Sequence, residues 1–200
     1  MKKIIQSFLT LFFILICIET KAQSYSSDPE KFITEIINEA KVILSSQDSQ
    51  ELKAEKLTNI ALQTVDLKGL AYYTLGKKRK EISPNELKKY ETLFEKYFLK
   101  SFTSRLTDYS DPKISVLSAE VVSDKYTIVK TMLLATKKKP EVKIDWRVYT
   151  KDASNPLIRD LIVEGLSLAR TQKEEFASIL NSNNNDINVL FQTLENFINK

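Results

Sequence analysis

Apolar residues recur at every third or fourth position between residues 28 and 109, which is the spacing of amphipathic α-helices. Asp28-Pro29 begins the first helix, because an Asp N-cap followed by proline suits the unpaired N–H groups of a first turn. A second helix is predicted from about 49 to 64, and a short third one over 67–75 that ends at Gly76. Ser83-Pro84-Asn85-Glu86 is a capping box and opens the longest helix.

The longest predicted helix carries an aromatic row on one face. Its members have the spacing of one helix side, and they are Leu87, Tyr90, Phe94, Phe98, Phe102, Leu106 and Tyr109, with Tyr97 beside them. A row of this kind is typical of core packing. It would also make an adaptable lining for a long apolar ligand, and the pattern leaves both interpretations open.

After Asp111-Pro112 the apolar period changes from 3.6 to 2, the period of a β-strand. The strands are predicted at about 113–122, 125–136, 141–150 and 157–163. Helical spacing returns at about 167–180 and again at 186–200. Helices, then a run of strands, then helices predict an α+β fold with an antiparallel sheet of about four strands, which the N-terminal, long central and C-terminal helices cover.

The second and third predicted strands differ in their faces. The third strand alternates between an apolar face, which includes Trp146 and Val148, and a charged face, so one of its faces is predicted to be solvated. The second strand has Val129 and Leu133 on one face and other apolar residues on the opposite face. Such a strand is covered on both sides, either by two layers of protein or by protein and ligand.

The first residues have the three-part layout of a secretory signal peptide. Lys2 and Lys3 precede an apolar run, and small residues at the −3 and −1 positions predict cleavage after Ala22. The apolar run is shorter than the roughly 20 residues that span a bilayer, which argues against a retained anchor. We therefore expect residues 1–22 to be removed and residues 23–200 to form a single domain.

The composition excludes several kinds of catalytic site. The chain has no histidine, and its one cysteine, Cys17, lies in the predicted leader. Ser-His and Cys-His nucleophilic pairs are therefore excluded, as are zinc sites built from His or Cys and any disulfide within 23–200. The formal charge of +4 gives no footprint for nucleic acid. The basic segments 77–80 and 137–139 are interpreted either as solvated turns or as contacts with anionic lipid or an acidic partner.

Two candidate catalytic patterns occur near the end of the fourth strand. Gly165-Leu166-Ser167 superficially has the form of a nucleophile elbow, but no histidine is present to activate Ser167, which we interpret as the N-cap of the next helix. Asp160 and Glu164 are four residues apart and could act as paired carboxylates. Structural pairing with Arg159, Arg170 or Lys173 is the interpretation we favour, and a lipid-active hydrolase that uses the two carboxylates is the alternative.

The stretch RDLIVEGLSLARTQKEEFASIL, residues 159–180, resembles the MlaC-type phospholipid-binding proteins, the toluene-tolerance family of periplasmic auxiliary components. The family pattern is a strand that ends in Asp, a short apolar run, an acid, Gly, an apolar residue and Ser, followed by a helix with a basic and an aromatic residue. The matching residues here are Asp160, Glu164, Gly165, Ser167, Lys173 and Phe176. The segments FITEIINEAKVIL, VDLKGLAYYTLGKKRKEISPNELKKYETLFEKYFLKSF and DINVLFQTLENF agree with the family in order, so the resemblance spans nearly all of residues 23–200.

The sequence departs from the family pattern at a few places. Lys173 stands where arginine is common, which weakens the case for a bidentate contact there. The run 183–185 is three asparagines in place of a glycine, and asparagine tolerates the left-handed conformation such a turn needs. Asn155-Pro156 replaces a Gly-aromatic pair. We expect the six matching residues to hold the strand-to-helix corner, with carboxylate–base pairs near Glu164 and Lys173.

The resemblance implies helices folded over a curved antiparallel sheet, with acyl chains held in an apolar slot between them. It implies a monomeric periplasmic carrier that shuttles phospholipid between an outer-membrane lipoprotein complex and an inner-membrane ABC transporter, without a cofactor other than its cargo. From periodicity, the residues expected to line the slot are Phe94, Phe98, Val129, Leu133, Trp146, Val148 and Ile162. A protein-only adaptor with a fully packed core is a further alternative.

Overall fold

The structure, a computed structural model, describes residues 25–136 and 140–200. The predicted leader, residues 1–22, and the basic segment 137–139 lie outside the described residues. The helices are α1 (Pro29–Ser45), α2 (Gln50–Thr64), α3 (Leu67–Leu75), α4 (Pro84–Leu106), α5 (Leu168–Asn181) and α6 (Ile187–Ile198), with a 3₁₀ helix at Gly76–Lys80 between α3 and α4. The strands are β1 (Ile114–Ser123), β2 (Tyr126–Leu133), β3 (Val142–Tyr149), β4 (Leu157–Val163) and β5 (Leu166–Ser167).

The helix boundaries follow the local sequence signals. The Asp28 side chain accepts a hydrogen bond from the Lys31 N–H and so caps α1. At the start of α4, Ser83 and Glu86 make both hydrogen bonds of a capping box. Gly76 ends α3 with φ +60°, a conformation that costs glycine little. These predicted boundaries are confirmed.

The strands form one antiparallel sheet in the order β1-β2-β3-β4-β5. The four predicted strands are all present, and β5 is an addition that the sequence pattern did not predict. It pairs with the end of β4 through a hairpin whose two turn residues, Glu164 and Gly165, have φ +50° and +82°. Two consecutive positive φ values are the mark of the tight turn that joins antiparallel strands.

The helices cover one face of the sheet. Val129, Val148 and Ile158 on that face belong to a single apolar core with buried residues of all six α-helices. The opposite face carries charged side chains, including an ion pair of 2.7 Å between Lys130 and Glu120. The prediction of an α+β fold is confirmed, and β3 has a charged face as predicted. The prediction that β2 is covered on both sides differs from the structure, because Ile128, Lys130 and Met132 on its face opposite the helices are only partly buried.

Among the helices of residues 25–136 and 140–200, none combines the length and the apolar character that crossing a bilayer requires.

Candidate functional site

The sheet face under the helices is packed tightly at one end. Antiparallel register sets Thr127 of β2 beside Val148 of β3, and Val148 beside Ile158 of β4. Side chains of directly paired residues point to the same face. Thr127, Val129, Val148 and Ile158 are at most 5% exposed, and we call them the packed half of the face.

The other end of the same face is apolar but partly exposed. Leu133 pairs with Val142, and Ile144 pairs with both Thr131 and Val163. The apolar residues of this end are all of intermediate exposure, and we call them the open half: Leu133, Val142, Ile144, Leu161 and Val163. A continuous apolar face therefore changes from fully buried to partly exposed along its length.

The aromatic row of α4 shows the same change. Tyr90 and Phe94 are 0% and 2% exposed, whereas Phe98 and Phe102 are only partly buried. The rings form a continuous series, with centroids 6.1 Å apart for Phe94–Phe98 and 5.8 Å for Phe98–Phe102. Burial also raises the pKa of the Tyr90 hydroxyl, which makes a hydrogen bond of 2.8 Å with Thr74.

Trp146 lies between the two halves of the sheet face. It pairs with Val129 of the packed half on one side and with Leu161 of the open half on the other. Its indole Nε1–H donates to the Oγ1 of Thr131 at 3.0 Å, and that hydroxyl donates to the Ile144 carbonyl at 2.8 Å. The ring orientation is therefore fixed by hydrogen bonds within the sheet.

Six of the seven predicted lining residues lie in this one apolar core or in its partly exposed continuation. The seventh, Ile162, lies on the opposite face of the sheet. Ile162 pairs with Asp145, on the charged side of the sheet. The reason is a bulge at Arg159: Val148 pairs with Ile158, but Arg147 pairs with Asp160. One extra residue moves every later side chain to the other face. Leu161 and Val163 take the place expected for Ile162, and the sequence analysis missed them.

Asp160 is the centre of the strand-to-helix corner. It is 4% exposed, and its carboxylate accepts hydrogen bonds from the Ser167 hydroxyl at 2.6 Å and from the Ala169 N–H at 3.0 Å. Arg147 approaches it at 3.4 Å. The Ser167 hydroxyl in turn accepts from the Arg170 N–H at 3.1 Å, so Asp160 and Ser167 cap α5 together. The prediction that Ser167 is an N-cap is confirmed.

The ion pairs expected at this corner are different in the structure. Glu164 lies in the exposed hairpin turn and accepts a hydrogen bond from the backbone N–H of Lys143. Lys173 lies over the ring of Tyr73, 4.9 Å from its centroid. Asp160 meets Arg147 rather than one of the bases named from the sequence, because the bulge turns it to the charged face. Gly165 permits the turn, as predicted.

Phe176 joins the corner to the core, as expected. It is 2% exposed, and its ring lies 6.5 Å from Phe94 and 5.8 Å from Tyr97. Tyr97 donates to the Gln172 side chain of α5 at 2.8 Å, and burial raises the pKa of its hydroxyl. These contacts fix α5 against the aromatic row of α4.

The arrangement favours binding over catalysis. The two carboxylates of the hydrolase alternative have separate structural partners, and both oxygens of Asp160 are already engaged in capping α5. Within the described part of the chain, His, Cys, Asp and Glu form no group that could hold a metal ion. A surface cavity of about 390 Å³ lies between the start of α1 and strands β1 and β2, and another of about 290 Å³ lies between α3 and α4. Neither is lined by a predicted slot residue.

Comparisons with known proteins agree with this geometry. A family model described as MlaC protein matches residues 31–196. A search of curated proteins by sequence finds no match. Among solved structures, the fold is similar to that of the phospholipid-binding protein from Ralstonia solanacearum in complex with a phospholipid. The TM-score is 0.71, with 15% sequence identity over 88% of this chain and 97% of that chain, which is a likeness of fold.

Proposed function

Because the chain belongs to the MlaC family, we propose that it is a periplasmic carrier that holds the acyl chains of a phospholipid between α4 and the sheet. In this proposal residues 1–22 direct export and are removed, and residues 23–200 form the carrier domain. The carrier exchanges lipid with an outer-membrane lipoprotein complex and an inner-membrane ABC transporter. The lipid headgroup stays in water at the open half of the sheet face.

The physical need for such a carrier is the cost of exposing acyl chains to water. A lipid with two chains of about sixteen carbons has about thirty methylenes, which at about 0.8 kcal/mol each cost about 24 kcal/mol to wet. No lipid crosses an aqueous gap unaided at a useful rate against that cost. A protein surface that buries the chains to a similar extent removes most of the barrier.

The observation that carries the proposal is the change of burial along one continuous apolar face. Single exposed apolar side chains are normal on a protein surface, whereas a contiguous apolar patch that continues from the core indicates a binding site. Here the face leads from fully buried valines to five partly exposed apolar residues in the open half. A protein with a similar fold binds a phospholipid, which supports a lipid as the ligand that buries the open half.

The first test is the identity of what leaves the protein with organic solvent. We expect phospholipid in about equimolar amount with protein expressed with its leader and purified without detergent. Mass spectrometry identifies and quantifies the lipid. A folded protein without lipid would contradict the proposal and would favour the adaptor interpretation, whereas released fatty acid in place of lipid would favour the hydrolase.

The second test uses two neighbouring leucines. Leu133 lies in the open half of the apolar face, and Leu134, which is 41% exposed, points to the opposite side by strand alternation. Leu133→Glu puts a carboxylate where lipid would desolvate it, which costs several kcal/mol, so lipid loading is expected to fall by at least about a hundredfold. Leu134→Glu is the matched control and is expected to load normally. Equal loading of the two variants would show that the lipid lies elsewhere.

A further inference from the structure

The chain has one tryptophan, and it lies at the boundary between the packed and open halves of the sheet face. On the packed side Val129 and Val148 are 0% exposed. On the open side Ile144 is partly exposed. Trp146 is therefore the largest side chain at the point where any ligand in the open half would meet the closed core.

The hydroxyl of Thr131 holds this indole in place. Thr131 is 0% exposed, although Ile144, its partner on the adjacent strand β3, is partly exposed. This difference agrees with the indole of Trp146 lying over Thr131. A buried hydroxyl is costly unless it is hydrogen-bonded. Valine would fill the same volume without that cost, so the hydroxyl has a specific use: it accepts the Trp146 N–H and donates to the Ile144 carbonyl.

The distance from Trp146 to the open end of the sheet suits one acyl chain. Val142 is the first residue of β3 and lies four residues from Trp146, which is about 13 Å at the rise of an antiparallel strand. A bilayer core is about 30 Å thick, so one acyl chain spans about 15 Å of it. A chain that enters at Leu133 and Val142 would reach the indole with nearly its whole length.

We propose that Trp146, held by Thr131, is the floor of the acyl site and limits the length of the chain that the protein accepts. Trp146 is the specificity-determining residue, and Thr131 is a positioning residue that acts through it. This inference rests on the carrier function proposed above. The affinity for the lipid falls about fourfold for each methylene that does not fit between Trp146 and the open end of the site, which corresponds to about 0.8 kcal/mol.

Depth-dependent quenching tests where Trp146 lies relative to the lipid. Purified protein is delipidated and reloaded with phosphatidylglycerol that carries bromine near the headgroup, at mid-chain or near the terminal methyl, and Trp146 fluorescence is measured. We expect the strongest quenching from bromine near the terminal methyl. Equal quenching at all depths, or the strongest near the headgroup, would overturn the inference. Lipid uptake is measured by mass spectrometry in the same samples: no uptake refutes the carrier function itself, and uptake without quenching refutes only the floor.

Two variants test the length limit. Thr131→Val removes the hydrogen bond that holds the indole of Trp146, and Trp146→Phe replaces the indole with a smaller ring, which makes the acyl site deeper. Each is loaded from an equimolar mixture of phosphatidylglycerols that differ only in chain length. We expect the lipid bound by each variant to shift to longer chains than the lipid bound by the wild type, by about fourfold per methylene gained. Thr127→Val is the matched control, since Thr127 is buried on the same face of β2 but pairs with Val148. The same length distribution in Thr131→Val and the wild type would refute the positioning role, even if Trp146→Phe does not fold.

Discussion

Replacing Asp160 by alanine should destabilise the protein more than any single change to an exposed carboxylate. The carboxylate is 4% exposed and receives hydrogen bonds from Ser167, from the first turn of α5 and from Arg147. Asp160→Ala leaves the Ala169 N–H without its acceptor in a site that water does not reach freely. It also removes a charged partner from Arg147, whose side chain is 41% exposed and can turn to solvent.

The expected loss follows from these contacts. A buried donor without an acceptor costs about 1–3 kcal/mol, and Asp160→Ala leaves two such donors, the Ala169 N–H and the Ser167 hydroxyl. The cap that Ser167 makes with the Arg170 N–H stays. The free energy of unfolding should therefore fall by about 3 kcal/mol, with the melting temperature lower by about 6–12 °C for a domain of this size. The slope of the unfolding free energy against urea should not change, because the surface exposed on unfolding is the same.

The assay is urea unfolding followed by the fluorescence of the single tryptophan. Asp152→Ala is the matched control, because Asp152 also accepts from a backbone N–H, at 3.0 Å, and from a serine hydroxyl, at 2.6 Å, but is exposed. It should lose less than about 1 kcal/mol, since water replaces its partners. Equal losses for the two variants would refute the reasoning that burial makes the corner carboxylate important.

Three further changes test local features of the fold by the same urea assay. Gly69→Ala should destabilise by about 1–2 kcal/mol although alanine favours helices, because the new methyl group would clash with the Asp66 carboxylate that caps α3; a gain in stability would show that Asp66 can move away. Gly165→Ala should cost about 1 kcal/mol from the positive φ alone, since a methyl group there meets no neighbour within 4 Å, and Gly165→Asn should cost less. Hydrogen bonds from Ser83 lower the pKa of Glu86 below 4.5, so the carboxylate stabilises the fold above pH 4.5 and this contribution disappears as the pH falls through the lowered pKa. The stability difference between wild type and Glu86→Gln should therefore shrink from pH 7 to pH 3, and a constant difference would contradict it.

The sequence predicted those parts of the fold that depend on local chemistry. The Asp28 and Ser83 caps and the Gly76 stop depend on a few neighbouring residues, and each is where the sequence predicted it. The four long strands have alternating side chains and lie within three residues of the predicted limits. Periodicity also assigned the correct side to Trp146 and Val148, because β2 and β3 pair without a bulge.

The errors arise where the backbone departs from regular alternation. The bulge at Arg159 moves Ile162 off the apolar face, and β4 contains no turn residue from which the bulge could be predicted. One signal was present: regular alternation from Ile158 would have put the Asp160 carboxylate on the apolar face, whereas a bulge puts Leu161 there. The short strand β5 was missed because Glu164 adopts a positive φ, which is uncommon outside Gly, Asn and Asp.

The division of the sheet face into two halves explains how a carrier can be empty without unfolding. Residues that hold the fold together, such as Val129, Val148 and Phe94, are fully buried by protein and need no ligand. The partly exposed residues of the open half contribute less to stability, because part of their apolar surface stays in water. Bound lipid would cover that surface and add stability in proportion to its affinity and concentration. Under the proposed function, release of lipid therefore removes only this added stability, and the packed half keeps the site formed for the next lipid.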